Sequence, residues 1–163
     1  MTTDEKLAAI LAAVQTDPGD RGLARDPHDN LFTACPGDFA AACEVLSAWP
    51  VAVVYTGFFI PTAEPAGFET DGPLGAAFIA RALQSVGGAA TTISEPPVER
   101  AIQSGLEVVN TTQADYYGHD WRYIAIERAG PATDGCYYTM RGRNTNRSYA
   151  VVGCGSLIPG SLR

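Results

Sequence analysis

The chain lacks the features that mark several common functional classes. Its eleven Lys and Arg residues are scattered, and eighteen Asp and Glu residues give a net charge of -7. An acidic chain without a basic run does not suit a phosphate backbone, so no nucleic-acid partner is expected. No apolar run is long enough to span a bilayer, and acids stand where a signal peptide carries positive charge. We therefore expect no membrane partner and a cytoplasmic location, with the mitochondrial matrix also compatible.

Metal-binding and nucleotide-binding motifs are missing as well. The cysteines at 35, 43, 136 and 154 form no Cys-x-x-Cys pair and have no histidine at ligand spacing, which predicts reduced, incidental thiols. The chain has no GxGxxG, no P-loop, no G-x-S-x-G elbow and no H-E-x-x-H. Nucleotide binding, serine hydrolysis and zinc proteolysis therefore have no support, and no cofactor is identified.

What the sequence does contain is an alternation of helical and strand patterns. The 163 residues, 46% of them hydrophobic, suit one domain with a core. Apolar spacing predicts helices over residues 3–15, 39–48, 73–86 and 96–105, with Asp38 capping the second and a loop over 23–38 before it. Apolar and β-branched runs predict strands within 51–57, 87–93, 106–110 and 121–128. This order favours an α/β fold of three layers, a mostly parallel, Rossmann-like sheet with flanking helices.

The stretch "GFETDGPLGAAFIARAL" follows the first predicted strand and opens a helix. Ligands of open α/β sheets bind beyond the carboxyl ends of strands, so this entry is a candidate site. Asp71 or Thr70 can cap the helix, whose first turn suits Pro73. Glu69 lies outside the cap, where it could hold a substrate ammonium or a divalent metal.

A second candidate loop, "ERAGPATDGCYYTMRG", follows the fourth predicted strand. Glu127 and Arg128 stand at the strand end. The alternative interpretation is that they form a surface ion pair, which would contribute little to stability. Carboxylates, phenols and a guanidinium at the edge shared with the first loop suit a small zwitterion such as an amino acid.

The two loops resemble the D-glutamate cyclase-like family. The resemblance rests on "VAVVYTGFFIP…ETDGPLGAAFIARAL" and "YIAIERAGPATDGCYYTMRG", with "DPGDRG" near the start, and covers roughly residues 9–142. It implies a lyase that converts D-glutamate to 5-oxo-D-proline and water. Glu69 or Glu127 would be the base on the amine side, with Asp71 orienting it or binding a metal. The substrate-binding candidates are Thr56, Gly57, Thr70, Gly72, Arg128, Asp134, Tyr137 and Arg141, with Arg128 or Arg141 gripping a carboxylate.

The sequence departs from the family after Gly142. The family continues into an acidic segment and a "GDGGNE"-type motif, whereas this chain runs "RNTNRSYAVVGCGSLIPGSLR". We expect residues 1–142 to form the family domain, as an incomplete copy with an uncovered sheet edge, and 143–163 a divergent tail. The alternatives to catalysis are a non-catalytic α/β domain that binds a small acidic amino acid and a role in protein interaction, and homo-oligomers are compatible with both.

Overall fold

The computed structural model describes residues 1–16, 26, 28–49, 51–105 and 121–146. The chain divides into two compact units, Met1–Trp49 and Pro50–Arg163. Within the described residues, no helix combines the length and the apolar character that crossing a bilayer requires.

The first unit contains three helices: α1 (Thr3–Val14), α2 (Leu31–Ala34) and α3 (Asp38–Ala48). Helix α1 begins with a capping box, in which Thr2 and Glu5 each accept the other's backbone N–H at 3.2 and 2.7 Å. The prediction that residues 23–38 form a loop is wrong for Leu31–Ala34, which form α2. The predicted cap of α3 is wrong too, because Gly37 is the N-cap and Asp38 lies in the first turn.

The second unit is built on a parallel sheet. Its elements are β1 (Val51–Thr56), β2 (Phe59–Ile60), β3 (Gly67–Phe68), α4 (Asp71–Ser85), β4 (Ala89–Ile93), α5 (Pro96–Gly105) and β5 (Arg122–Ile126). The larger sheet has the order β4-β1-β5, and β1 pairs in parallel with both neighbours. The α/β class and the parallel sheet are therefore confirmed. The strand predicted over 106–110 lies outside the described residues.

The core of this unit lies between α4 and the sheet. Three alanines of α4 are at most 2% exposed, and their small side chains let the helix approach the buried residues of β1 closely. Val98 and Ile102 of α5 are also buried. Burying a side chain of that size contributes roughly 1.5–3 kcal/mol. This packing fixes where α4 begins relative to the strand ends.

A short antiparallel hairpin, β2 and β3, lies between β1 and α4, where the sequence patterns predicted no strand. Phe59 pairs with Phe68, and their rings meet edge to face with centroids 5.2 Å apart. Directly after the hairpin, the Glu69 N–H donates to the Phe58 carbonyl at 2.9 Å. The hairpin therefore returns the chain to the end of β1 and places Glu69 there.

The last described residues fold back on the segment before them. Gly142 has a φ of 72° at the reversal, where glycine is favoured because it has no Cβ. The Thr139 N–H donates to the Arg143 carbonyl at 2.9 Å, and the Thr145 N–H donates to the Tyr137 carbonyl at 2.8 Å. Residues 143–146 are thus paired with 137–139.

Candidate active site

The N-terminus of α4 is capped by an acid that directly follows β5. Thr70 is the N-cap residue, but its side chain makes no capping hydrogen bond, so the prediction that it caps the helix is wrong. The Gly72 N–H donates instead to Oε2 of Glu127, at 3.1 Å across 55 residues of sequence. A carboxylate is favoured there because free N–H groups point outward from a helix start.

Glu127 reaches this position through an unusual backbone turn directly after β5. Its φ is 46°, in the left-handed region that residues with a Cβ seldom adopt. Such a conformation costs roughly 1–2 kcal/mol, so the surrounding contacts must hold it. The turn directs the side chain to α4.

Three carboxylates meet at this helix start. Glu69, Asp71 and Glu127, here called the carboxylate cluster, each offer an oxygen atom, and these oxygens lie within 4.8 Å of one another. Burial, a side-chain hydrogen bond with Asp71 and repulsion from Asp71 and Glu69 raise the pKa of Glu127 above its ordinary 4.5, while the Gly72 N–H opposes the shift. Two carboxyl groups can share a hydrogen bond only if one is protonated, so the contact with Asp71 favours the protonated form of Glu127.

The residues beneath the carboxylate cluster are packed without spare room. A Cβ added to Gly72 would lie 2.9 Å from both the Glu127 Cβ and the Thr56 Oγ1. Thr56 is fully buried. The predicted binding residues Thr56 and Gly72 are therefore packed close to Glu127. Only a glycine fits at position 72 without a shift of its neighbours.

The carboxylate cluster could also hold a metal ion. Oxygen atoms from several carboxylates are the ligands that Mg²⁺ and Ca²⁺ prefer. Glu69 is half-buried, whereas Asp71 and Glu127 are exposed, so an ion could enter from solvent. The three side chains thus fit either a shared proton or a divalent cation.

A second group of polar side chains lies at the same ends of the three strands. Nη1 of Arg128 donates to Glu95 Oε2 at 2.5 Å and to the Thr56 carbonyl at 3.2 Å. Both side chains are buried, at 6% exposure for Arg128 and 4% for Glu95. The Ser94 hydroxyl donates to the same carbonyl at 2.8 Å. The alternative interpretation, a surface ion pair of Arg128 with Glu127, is therefore wrong, because Arg128 pairs with the buried Glu95.

Gly57, another predicted binding residue, lies against this pair. Its φ is +104°, and an added Cβ would lie 2.6 Å from the Ser94 Oγ and 3.1 Å from Glu95 Oε2. Glycine is required here for both conformation and space.

Glu69 also lines a cavity of about 300 Å³. The hairpin side contributes Phe58, Ile60 and neighbouring residues, and the 139–143 turn contributes residues that include Arg141 and Arg143. The volume lies at the small end of the range of ligand pockets, roughly 300–1,000 Å³. One acidic and two basic residues therefore line a space suited to a small molecule that carries charges of both signs.

The other two predicted binding residues lie elsewhere. Asp134 accepts hydrogen bonds from the Tyr138 hydroxyl at 2.6 Å and the Cys136 N–H at 2.9 Å. These bonds lower the pKa of Asp134, and the first raises the pKa of Tyr138 to about 12. Tyr137 is buried, with its N–H donating to Asn146 Oδ1 at 2.6 Å. Their roles in binding stay predictions.

Sequence reasoning missed Glu95, Ser94 and Arg143. Ser94 and Glu95 directly follow β4, as Glu127 and Arg128 directly follow β5. The rule that chemistry collects at the carboxyl ends of parallel strands applied to "SEPP" as well, and would have found them. Arg143 has no comparable signal, because its place depends on the reversal at Gly142.

Comparison with known proteins was consistent with this arrangement. The model of a family described as "D-glutamate cyclase-like, C-terminal" matches residues 10–152. This range contains the carboxylate cluster, the Glu95–Arg128 pair and the cavity, and it runs past Gly142, the expected end of the resemblance. A search of curated proteins gave no match. Because the family model covers most of the chain, the protein belongs to the D-glutamate cyclase-like C-terminal domain family.

Proposed function

We propose that the protein is a hydro-lyase that converts D-glutamate to 5-oxo-D-proline and water. The observation that carries the proposal is the approach of the Glu69, Asp71 and Glu127 carboxylates to within 4.8 Å of one another, at the carboxyl ends of parallel strands. Family membership names the reaction class, and the carboxylate cluster supplies the acid and base groups that such a reaction needs.

The reaction is a transfer of two protons from nitrogen to oxygen. The substrate ammonium loses two protons as its nitrogen bonds to the γ-carboxyl carbon, and one γ-carboxyl oxygen gains two protons and leaves as water. Atoms and charge balance without an oxidant or a co-reactant. The enzyme therefore needs one group that accepts a proton from the amine and another that donates to the departing oxygen.

The carboxylate cluster can divide these roles. Glu69 stands between the cavity and the other two acids, so it is placed to bind the ammonium and accept its proton. The pKa of Glu127 is raised above its ordinary value, and a carboxyl group whose protonated form is favoured suits a donor to the leaving oxygen. Asp71 orients the donor.

The two arginines of the cavity supply the opposite charge. Arg141 and Arg143 line the side formed by the 139–143 turn. Guanidinium groups bind carboxylates through paired N–H donors, so they suit the α- and γ-carboxylates of a dicarboxylic amino acid. Holding both ends would fold the substrate and bring its amine to the γ-carboxyl carbon, which is how proximity accelerates ring closure.

The test is to incubate the purified chain with D-glutamate and quantify 5-oxoproline by chiral chromatography, with L-glutamate as the stereochemical control. Glu69→Gln should abolish most product formation. Glu64→Gln is the matched control, because Glu64 is an exposed acid in the preceding hairpin loop, outside the cavity lining. Equal activity of the two variants would contradict the role given to Glu69.

The same assay separates two further possibilities. Activity that is lost in EDTA and restored by Mg²⁺ would assign the carboxylate cluster as metal ligands rather than as proton-sharing acids. A thermal shift with D-glutamate but no product would identify a binding domain without catalysis. If D-glutamate gives no product and no thermal shift, the proposed function is overturned.

A further inference from the structure

We propose that the buried Glu95–Arg128 pair positions Glu127 for catalysis and does not itself touch the substrate. The inference rests on the proposed function, because it assigns a task to residues beneath that same site. Arg128 was expected to grip a substrate carboxylate. With 6% of its side chain exposed and Glu95 bonded to it, the guanidinium offers a substrate little surface.

The pair ties together the ends of all three parallel strands. Glu95 follows β4, Arg128 follows β5, and the Thr56 carbonyl at the end of β1 accepts from both the Arg128 guanidinium and the Ser94 hydroxyl. Gly57 closes the remaining space, since any Cβ there would meet the Ser94 Oγ at 2.6 Å. These polar contacts therefore fix the ends of the three strands relative to one another.

The consequence falls on Glu127 because it is bonded covalently to Arg128. A left-handed residue persists only when its surroundings over-determine it. The Arg128 side chain is anchored by its bond to Glu95, while the Glu127 carboxylate is anchored by its bond to the Gly72 N–H. These two anchors on consecutive residues hold the turn at φ 46° and so fix the distance of Glu127 from Asp71.

A double variant, Glu95→Leu with Arg128→Met, removes the pair without leaving a buried charge. Replacing a buried ion pair by apolar residues is often neutral for stability, so a folded protein is expected, as judged by circular dichroism and thermal unfolding. Misplacement of a reacting group by about 1 Å lowers rates on the order of 100-fold, so kcat should fall by that factor. KM should change less than about threefold, because substrate binding is left to other residues.

A second readout does not depend on activity. The ¹³C chemical shift of the Glu127 carboxyl, assigned by its loss in Glu127→Gln, reports the titration of that group among its charged neighbours Glu69, Asp71 and Arg128. In the double variant the midpoint should move toward the ordinary glutamate value, because Asp71 and Glu127 separate. If the wild-type chain makes no 5-oxoproline, the proposed function fails, yet this titration still tests the positioning.

The control is Glu99→Gln. The Glu99 carboxylate lies on α5 and accepts hydrogen bonds from the side chains of Thr92 and Gln103. The variant should leave both kcat and the Glu127 titration unchanged. If the double variant does not fold, Arg128→Lys carries the test, since lysine keeps the charge but replaces the rigid, planar guanidinium by a flexible ammonium. Wild-type kcat together with an unchanged Glu127 titration, in whichever of the two variants folds, would overturn the proposal.

Discussion

Two acids that follow β5, Glu127 and Asp134, are held in opposite ways. In the Asp134 turn, defined by Asp134, Cys136 and Tyr138, the acid accepts two hydrogen bonds from residues two and four positions away, and its pKa is lowered. Glu127 lies against other acids, and its pKa is raised. The first arrangement stabilises the charged carboxylate, whereas the second favours the protonated form of the acid.

The difference separates structural acids from chemical ones. A turn can satisfy its own aspartate from a few neighbouring residues, as Asx turns do throughout proteins. Acids brought together against their mutual repulsion require a fold to hold them, and a group perturbed in this way is a candidate for catalysis. The carboxylate cluster is such a case, and four predictions test the contrast.

The largest effect should come from Glu127→Gln. Glutamine keeps the size and can still accept from the Gly72 N–H, but it cannot donate a titratable proton. Loss of a general acid lowers rates by about 10²–10⁴-fold, and kcat for D-glutamate should fall within that range. A variant with more than half of wild-type kcat would remove the distinction drawn between the two acids.

The second effect should come from Gly72→Ala. The new methyl would meet the Glu127 Cβ and the Thr56 Oγ1 at 2.9 Å, so Glu127 must move. We expect a destabilisation of roughly 1–3 kcal/mol in urea unfolding, with a fall in kcat. Gly75→Ala is the matched control on the same helix, because its methyl meets Ile126 at an ordinary 3.6 Å. That change should stabilise by up to about 1 kcal/mol, and a reversed order of the two variants would contradict the packing described.

A smaller effect concerns the pH dependence of unfolding. The raised pKa of Glu127 gives stability that is present at low pH and lost as pH rises through that pKa. The lowered pKa of Asp134 gives stability that is present above its ordinary 3.8 and lost as pH falls through the lowered value. Urea unfolding across the acid range should therefore show changes of opposite sign on Glu127→Gln and Asp134→Asn. Changes of the same sign would show that the two environments are alike.

The smallest effect should come from Tyr138→Phe. Its hydroxyl donates to Asp134, which raises the pKa of Tyr138 to about 12, so the variant should lose a strongly alkaline tyrosine transition in absorbance at 295 nm. Turnover of D-glutamate should stay near the wild-type value, because this bond lies within the Asp134 turn. A loss of turnover as large as that of Glu127→Gln would place the turn in the reaction.

Most of the second unit could be predicted from patterns that neighbouring residues set. The run "VAVVYT" is apolar and β-branched because β1 is central, and the apolar spacing after Pro73 is that of a helix packed on a sheet. The β2–β3 hairpin was missed because its strands are two residues long and give no alternation. Helix α2, with four residues, is too short for periodicity.

The site could be predicted only in part, for a related reason. Glu69 and Glu127 were found because each follows a recognisable strand or precedes a helix. That Glu127 rather than Thr70 caps α4 depends on a left-handed turn and on a contact across 55 residues, which no local pattern encodes. The pairing of Arg128 with Glu95 was missed because the two residues are 33 positions apart, and the sheet order β4-β1-β5 brings the ends of their strands together.

The capping of α4 by a residue beyond β5 also bears on the order of folding. The ends of β1 and β4 are joined by contacts 38 residues apart, but those of β1 and β5 by contacts 72 residues apart. Contacts of lower sequence separation form sooner in a folding chain, so the β1–α4–β4 unit should assemble before β5 docks. Helix α4 would then begin with unsatisfied N–H groups until Glu127 arrives, and mutations at Glu127 should speed unfolding more than they slow folding.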